Sequence, residues 1–250
     1  MIKGSIPALI TPFKNGEIDK NALEELVEWQ IEEGTNGLVA VGTTGESPTL
    51  SHEEHQEVIE IIVKKSKGRV PVIAGAGSNN TRESVDLMKF AKKVGADAAL
   101  IVTPYYNKPN QKGLFLLFSS LNDCCDLPII IYNIPGRSIV DMTVETMIEL
   151  SKIPKIIGVK DATNDLFRPL LTRRLMNNDF CYLSGEDGTA LAYLAQGGDG
   201  CISVTANVAP KLCSEMHKSW RDGDIVKCKE INLKLSKLHH TLFIESSPGP

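Results

Sequence analysis

No apolar run in this chain reaches the length of a membrane span. Runs such as Leu127-Pro128-Ile129-Ile130-Ile131 end after a handful of residues, where a spanning helix needs about 20. The six cysteines, at positions 124, 125, 181, 201, 213 and 228, include no C-x-x-C pair. A zinc knot lacks its spacing and a disulfide framework is foreign to so long a chain, so the expectation is reduced core and surface thiols. Charge of one sign is not concentrated: the net charge is −4 with 23% charged residues, and neither a basic patch for nucleic acid nor an acidic tail stands out. The opening Met1-Ile2-Lys3-Gly4-Ser5-Ile6-Pro7 has no signal-peptide core and no Arg/Ser-rich transit character, which points to a cytoplasmic protein. His52 and His55 are three apart rather than four, so they do not form the zinc-protease motif. Gly75-Ala76-Gly77 lacks the third glycine of a dinucleotide turn. No metal and no organic cofactor is therefore expected.

What is present is a rhythm. The 250 residues, 42% hydrophobic, fit one large domain with a sizeable core. Short, continuously apolar, β-rich runs recur at Ile6–Ile10, Gly37–Val41, Val70–Ala74, Ala98–Val102, Ile129–Tyr132, Ile156–Val159, Phe180–Leu183 and Gly200–Ser203, as parallel strands covered on both faces require. Helix starts lie between them: Asp19 before Lys20, Ser51 with Glu54 three residues on as a capping box, and Asn80 before Thr81. Eight strands alternating with helices, about thirty residues per unit, predict an α/β fold of the (β/α)8 TIM-barrel type over residues 1–222. An amphipathic helix over Asp224–Phe243 opens a C-terminal helical region, 223–250, that reads as truncated at Ser246-Ser247-Pro248-Gly249-Pro250.

Active sites of such barrels lie where strands end and βα loops begin. Those exits read Gly42-Thr43-Thr44-Gly45-Glu46-Ser47, Thr103-Pro104-Tyr105-Tyr106-Asn107, Tyr132-Asn133-Ile134-Pro135-Gly136-Arg137, Lys160-Asp161 and Ser184-Gly185-Glu186-Asp187-Gly188. One lysine, several hydroxyls and one arginine converge, and no histidine does. A converging lysine suggests covalent amine chemistry. A free lysine amine, with pKa about 10.4, is neutral in about one molecule in 2,500 at pH 7, and an apolar surrounding favours the neutral nucleophile. Attack on a ketone gives an imine, whose nitrogen draws electrons from the α-carbon and allows an enamine to form. The rival reading is a lysine with a packed stem and a head that reaches solvent or pairs with Asp161. Tyr132, one strand over, can shuttle protons; Thr43 and Thr44 suit a carboxylate, and the Arg137 fork suits a second one. Together they describe a pocket for a keto acid and an acidic partner.

The segments "VGTTGESPTLSHEEH", "TPYYNKP", "IIIYNIPGR" and "GVKDAT" resemble the pyruvate-dependent class I aldolase barrels, the N-acetylneuraminate lyase family. Within it they are most similar to the dihydrodipicolinate synthase branch, from Ile6 to Pro250. The resemblance implies condensation of pyruvate with aspartate 4-semialdehyde to 4-hydroxy-tetrahydrodipicolinate, the first committed step towards diaminopimelate and lysine. It assigns the Schiff base to Lys160 and a proton relay to Tyr132, Thr43 and Tyr106, the last entering from a neighbouring subunit. Thr44 would hold the pyruvate carboxylate, Gly185 and Ile202 would line the pocket, and Arg137 would bind the semialdehyde carboxylate. It also implies a homotetramer built from tight dimers, with feedback inhibition by lysine at Ser47, Pro48, His52, His55, Gly77, Asn79, Glu83 and Tyr105. Pro48 stands where the family pattern has alanine, and family members continue past the Pro-x-Pro segment. The runner-up is a sialic-acid lyase or sugar-acid aldolase, disfavoured by Arg137 and by the Thr43-Thr44 pair. Two further alternatives are a phosphate-binding isomerase barrel, using Gly185, Gly188, Gly197, Gly198 and Gly200, and a catalytically silent binding barrel.

Overall fold

Eight strands form one parallel sheet that curls back on itself. In the computed structural model, which describes residues 2–176 and 179–249, they are β1 (Gly4–Pro7), β2 (Leu38–Ala40), β3 (Val72–Gly75), β4 (Ala98–Val102), β5 (Ile129–Asn133), β6 (Ile156–Asp161), β7 (Cys181–Ser184) and β8 (Gly200–Ser203). The hydrogen-bonded order runs from β1 to β8 and then back through the series to β2. The remaining seam is closed by a bridge between Ala8 and Val39, with Leu9 N–H donating to Val39 O at 3.0 Å. The chain is a (β/α)8 barrel. Its outer ring comprises α1 (Lys20–Glu32), α2 (His52–Ser66), α3 (Thr81–Val94), α4 (Gln111–Cys124), α5 (Val144–Leu150), α6 (Arg168–Arg173), α7 (Ala190–Ala195) and α8 (Pro210–Arg221), followed by α9 (Ile225–Thr241).

The helix starts follow their capping residues. Asp19 accepts from Ala22 N–H, Asn80 from Arg82 N–H and Asp224 from Lys227 N–H. Ser51 and Glu54 form the reciprocal capping box. Along α2 the buried residues Val58, Ile59 and Ile62 recur at helical spacing and pack on the outer faces of the strands. The inner faces carry Ile6, Val39, Ile73, Leu100, Ile130, Tyr132, Leu183 and Ile202. The barrel interior is thus a packed core closed beneath the site.

Three strand limits differ from the sequence expectation. β1 begins at Gly4 and ends at Pro7, because its partners are Gly200 to Ser203 of β8; the apolar residues beyond it continue past the ladder, and Ile10 is exposed. β3 starts after Pro71, which has no N–H to donate. β6 does not end at Val159: Lys160 and Asp161 stay in register with Leu183 and Ser184. Apolarity marked where each strand was buried, whereas pairing decides where it stops. A small antiparallel hairpin, Phe13–Lys14 with Glu17–Ile18, also escaped that reading, although Asn15 and Gly16 at its tip both adopt positive φ, the signature of an Asn-Gly turn. Pro250, the last residue of the expected tail, lies outside the described residues.

Candidate active site

The strand register brings two of the expected residues together. Tyr132 of β5 is the Cα partner of Lys160 of β6. Both side chains are buried, and the Lys160 Nζ lies 4.1 Å from the centroid of the Tyr132 ring, within the range of a cation–π contact. Asp161 is not its partner: its Oδ1 accepts from the Thr163 N–H at 2.9 Å and from Thr163 Oγ1 at 2.7 Å. Burial pushes the Asp161 carboxyl above the usual range, against the pull of those Thr163 bonds. Successive strand residues face opposite sides of a sheet, so the lysine turns inward while Asp161 does not. Of the two readings of this lysine, the structure keeps the enclosed amine.

Above the pair opens a cavity of about 320 Å³, with Thr43, Ser47, Tyr105, Tyr132, Arg137 and Ser138 as its hydroxyl and guanidinium groups and Leu100, Val102 and Ile134 among its apolar wall. Lys160 is not part of this wall; its amine meets the wall through the Tyr132 ring. Thr43 and Thr44 sit in a single 3-10 turn, Thr43–Gly45, with Thr44 buried. That turn is anchored by Thr11, whose Oγ1 donates to Gly45 O at 2.7 Å. The β5 exit is anchored likewise, with Thr103 Oγ1 donating to Ser138 Oγ at 3.1 Å. Arg137 is held at the rim, where its Nη2 donates to Ser247 O at 3.3 Å.

Gly185 follows β7 and its N–H donates to Asp161 O at 2.6 Å. A Cβ here would lie 3.2 Å from the Lys160 Cε and 2.8 Å from the Ala162 Cβ, so only glycine lets this loop close over the lysine stem. Beside it, burial first and the neighbouring Asp187 second push the Glu186 carboxyl up, while the Lys160 charge pulls it down. Ile202, on β8, is fully enclosed in the inner core and does not line the cavity.

Tyr106 is not brought to the cavity. Its side chain is 91% exposed, and its φ of 68° belongs to a backbone region that costs a bulky residue about 1–3 kcal/mol. Val41 (φ 53°) and Ile139 (φ 65°) share that strain at the exits of β2 and β5. No sequence signal marks those two positions, since both residues ordinarily avoid left-handed backbone. Asp187, named in the sequence only as part of an exit, accepts from Ser203 Oγ, Val204 N–H and Thr205 N–H and so ties the β7 exit to the β8 exit.

Of the eight residues expected at a lysine site, Ser47, Pro48, Gly77 and Tyr105 border the same cavity. Glu83, at the start of α3, lies 3.5 Å from His52 Nε2 through its Oε1 and accepts from Ser78 Oγ through its other oxygen. Asn79 contributes its carbonyl to Asn107 Nδ2 at 2.9 Å. His55 is buried with Nε2 against Gly75 O at 2.7 Å. That carbonyl needs a donor, so Nε2 carries the proton and Nδ1 is left as the acceptor. Burial, the largest influence, pushes the His55 pKa down.

The model of the Dihydrodipicolinate synthetase family matches residues 1–250. The chain belongs to this family. The 4-hydroxy-tetrahydrodipicolinate synthase of Rhodospirillum centenum is 63% identical over 250 residues, 100% of this chain and 86% of that protein. Among solved members of the dihydrodipicolinate synthetase family, the chloride-inhibited dihydrodipicolinate synthase of Acinetobacter baumannii complexed with pyruvate is 49% identical. It superimposes with a TM-score of 0.96, covering 99% of this chain and 86% of its own. The Cyanidioschyzon merolae enzyme with lysine bound is 36% identical with a TM-score of 0.95, covering 99% and 85%.

Proposed function

We propose that this chain is a 4-hydroxy-tetrahydrodipicolinate synthase that condenses pyruvate with aspartate 4-semialdehyde through an imine on Lys160. The observation that carries the reading is the inward Lys160 amine facing the Tyr132 ring at 4.1 Å, beneath a cavity with Arg137 at its rim. The amine adds to the pyruvate ketone and water leaves, giving the imine. Loss of a methyl proton, relayed by Tyr132 and Thr43, turns it into an enamine. The enamine carbon bonds to the aldehyde carbon, whose oxygen takes a proton. The amino group of the semialdehyde then adds to the imine carbon, closes the ring and releases Lys160. Each turnover joins one pyruvate to one semialdehyde and yields one water.

Thr44 and its turn hold the pyruvate carboxylate, Gly185 and Ile202 shape the floor, and Arg137 pairs with the semialdehyde carboxylate in the two-pronged manner that guanidinium favours. Tyr106 completes the relay from a neighbouring subunit, within a homotetramer of tight dimers. The exposure and strained backbone of Tyr106 support that reading. Lysine binds where Ser47, Pro48, His52, His55, Gly77, Asn79, Glu83 and Tyr105 meet, its ammonium paired with Glu83. A cytoplasmic setting accords with amino-acid biosynthesis.

The test is chemical trapping. Incubation with pyruvate, then reduction with borohydride, is expected to add one reduced pyruvyl group at Lys160, located by peptide mass mapping, and Lys160→Ala is expected to abolish it. An unmodified protein, or trapping at another lysine, would overturn the assignment.

A further inference from the structure

Away from the site, three sulfur atoms meet where α4 ends. Cys124 is the last residue of that helix and Cys125 its C-cap, in extended backbone. Their Sγ atoms are 3.7 Å apart, and Cys124 Sγ is 4.0 Å from the Met88 Sδ of α3. Both thiols are half-buried and within reach of reagents, whereas Cys181, Cys201, Cys213 and Cys228 are sealed in the interior. The pair precedes β5, at the end of the barrel away from the strand exits, so the imine chemistry does not use it.

The spacing suits a shared ion. Metal–sulfur bonds of about 2.3 Å meeting at a tetrahedral angle hold two sulfurs about 3.8 Å apart, which these thiols match without moving. A disulfide needs about 2.05 Å, and reaching it would require backbone rearrangement in adjacent residues. The Met88 thioether is a soft third donor on a flexible side chain, and thiolate with thioether selects monovalent copper over harder ions. Charge is provided for as well. Binding follows Cu⁺ + 2 RSH → [Cu(SR)2]⁻ + 2 H⁺. The resulting negative charge lies near Lys155, whose Nζ donates to Cys125 O at 2.9 Å, and near Lys89. Both lysines favour the Cys124 thiolate, although burial and the neighbouring thiol hold its pKa up to about 11. Without an ion the pair therefore keeps its protons, and a thiophilic ion has to displace them.

We propose that Cys124, Cys125 and Met88 form a binding site for a soft, thiophilic cation of the monovalent copper class. The chain, reduced and kept free of oxygen, is titrated with Cu(I) held by a chromophoric chelator, and each cysteine is then alkylated and mapped by mass. One equivalent is expected to pass to the protein, with Cys124 and Cys125 both shielded from alkylation and pyruvate trapping at Lys160 unchanged. Cys125→Ser is expected to weaken retention by about a hundredfold or more, since a direct ligand is worth at least what a supporting contact is. Full alkylation of Cys124 and Cys125 in the presence of Cu(I) refutes the site on the unaltered chain, whatever the folding of the variant. Equal shielding by Zn(II) refutes its soft character.

Discussion

Gly185 gives the sharpest test of the enclosed lysine, because one added methyl group presses on the catalytic stem and on little else. In Gly185→Ala the new carbon would stand 2.8 Å from the Ala162 Cβ and 3.2 Å from both Asp161 O and Lys160 Cε. Carbon atoms pack best at about 3.5–4.0 Å, so the contact must open by about half an ångström. Ala162 is tied down, its N–H donating to Asn133 O at 2.9 Å; the lysine stem is the softer partner and moves. Overpacking of this kind costs about 1–3 kcal/mol. A full ångström of misplacement can cost about a hundredfold in rate, so half of that corresponds to about tenfold. The expected result is borohydride trapping with pyruvate slowed about tenfold and urea unfolding shifted by at least 1 kcal/mol. Gly188→Ala is the control, since its nearest neighbour would be Glu186 Oε1 at 3.9 Å, and both readouts should stay at wild-type values. If Gly185→Ala traps pyruvate at the wild-type rate with undiminished stability, the lysine is not packed as described.

Arg137→Ala should raise the KM for aspartate 4-semialdehyde and lower kcat/KM by about ten- to a hundredfold, the worth of a charge-assisted pair; an equal loss in the trapping rate would show that Arg137 serves the pyruvate half-reaction instead. Glu83→Ala should relieve inhibition by lysine with turnover largely kept, and an unchanged inhibition curve counts against the Glu83 pairing. His217 is buried, and burial first and Arg221 second hold its pKa down at about 4. The unfolded chain takes up a proton near 6.5 that the folded chain refuses, so stability is full above pH 6.5 and falls as pH drops towards 4. That difference amounts to about 2 kcal/mol of loss between pH 7 and pH 5. His217→Gln should remove that part of the acid loss in urea titrations at the two pH values, and an identical loss in both proteins would rule out a neutral buried imidazole.

The barrel was legible because each of its strands is a short apolar run and several helices begin at residues that can accept an N–H. Their ends were less so. Lys160 and Asp161 read as the loop beyond a strand because they are charged, yet both stay in the ladder with Leu183 and Ser184; backbone pairing does not depend on side-chain polarity. The cavity residues Thr43, Tyr105, Tyr132 and Arg137 stood out because each lies at a strand's C-terminal exit, a rule of topology rather than of local pattern. Nothing local could reveal Val41 or Ile139 at positive φ, for neither residue favours that region and the surrounding contacts impose it. Ser138 illustrates a different gap. Its hydroxyl meets Thr103 from the neighbouring exit, a contact 35 residues apart in sequence that only the closed barrel creates.

The same closure makes Lys160 costly, and this separates a lysine retained for chemistry from one retained for packing. The residue occupies an inward position among apolar side chains, facing an aromatic ring rather than a carboxylate. Enclosing a polar head costs about 1–3 kcal/mol by protein mutational measures, and the cation–π contact returns about 0.5–2 kcal/mol. Methionine has a similar reach, no such head, and a sulfur that itself favours an aromatic ring by about 0.3–1.5 kcal/mol. Lys160→Met should therefore unfold at higher urea concentration than the wild type, gaining about 1 kcal/mol, while losing all capacity to trap pyruvate. A site kept for reactivity behaves in that way, because the amine is tolerated at the expense of stability. If Lys160→Met is instead destabilised by about 1 kcal/mol or more, the amine is a net structural contributor. Its burial would then be explained by packing, with no need of the imine.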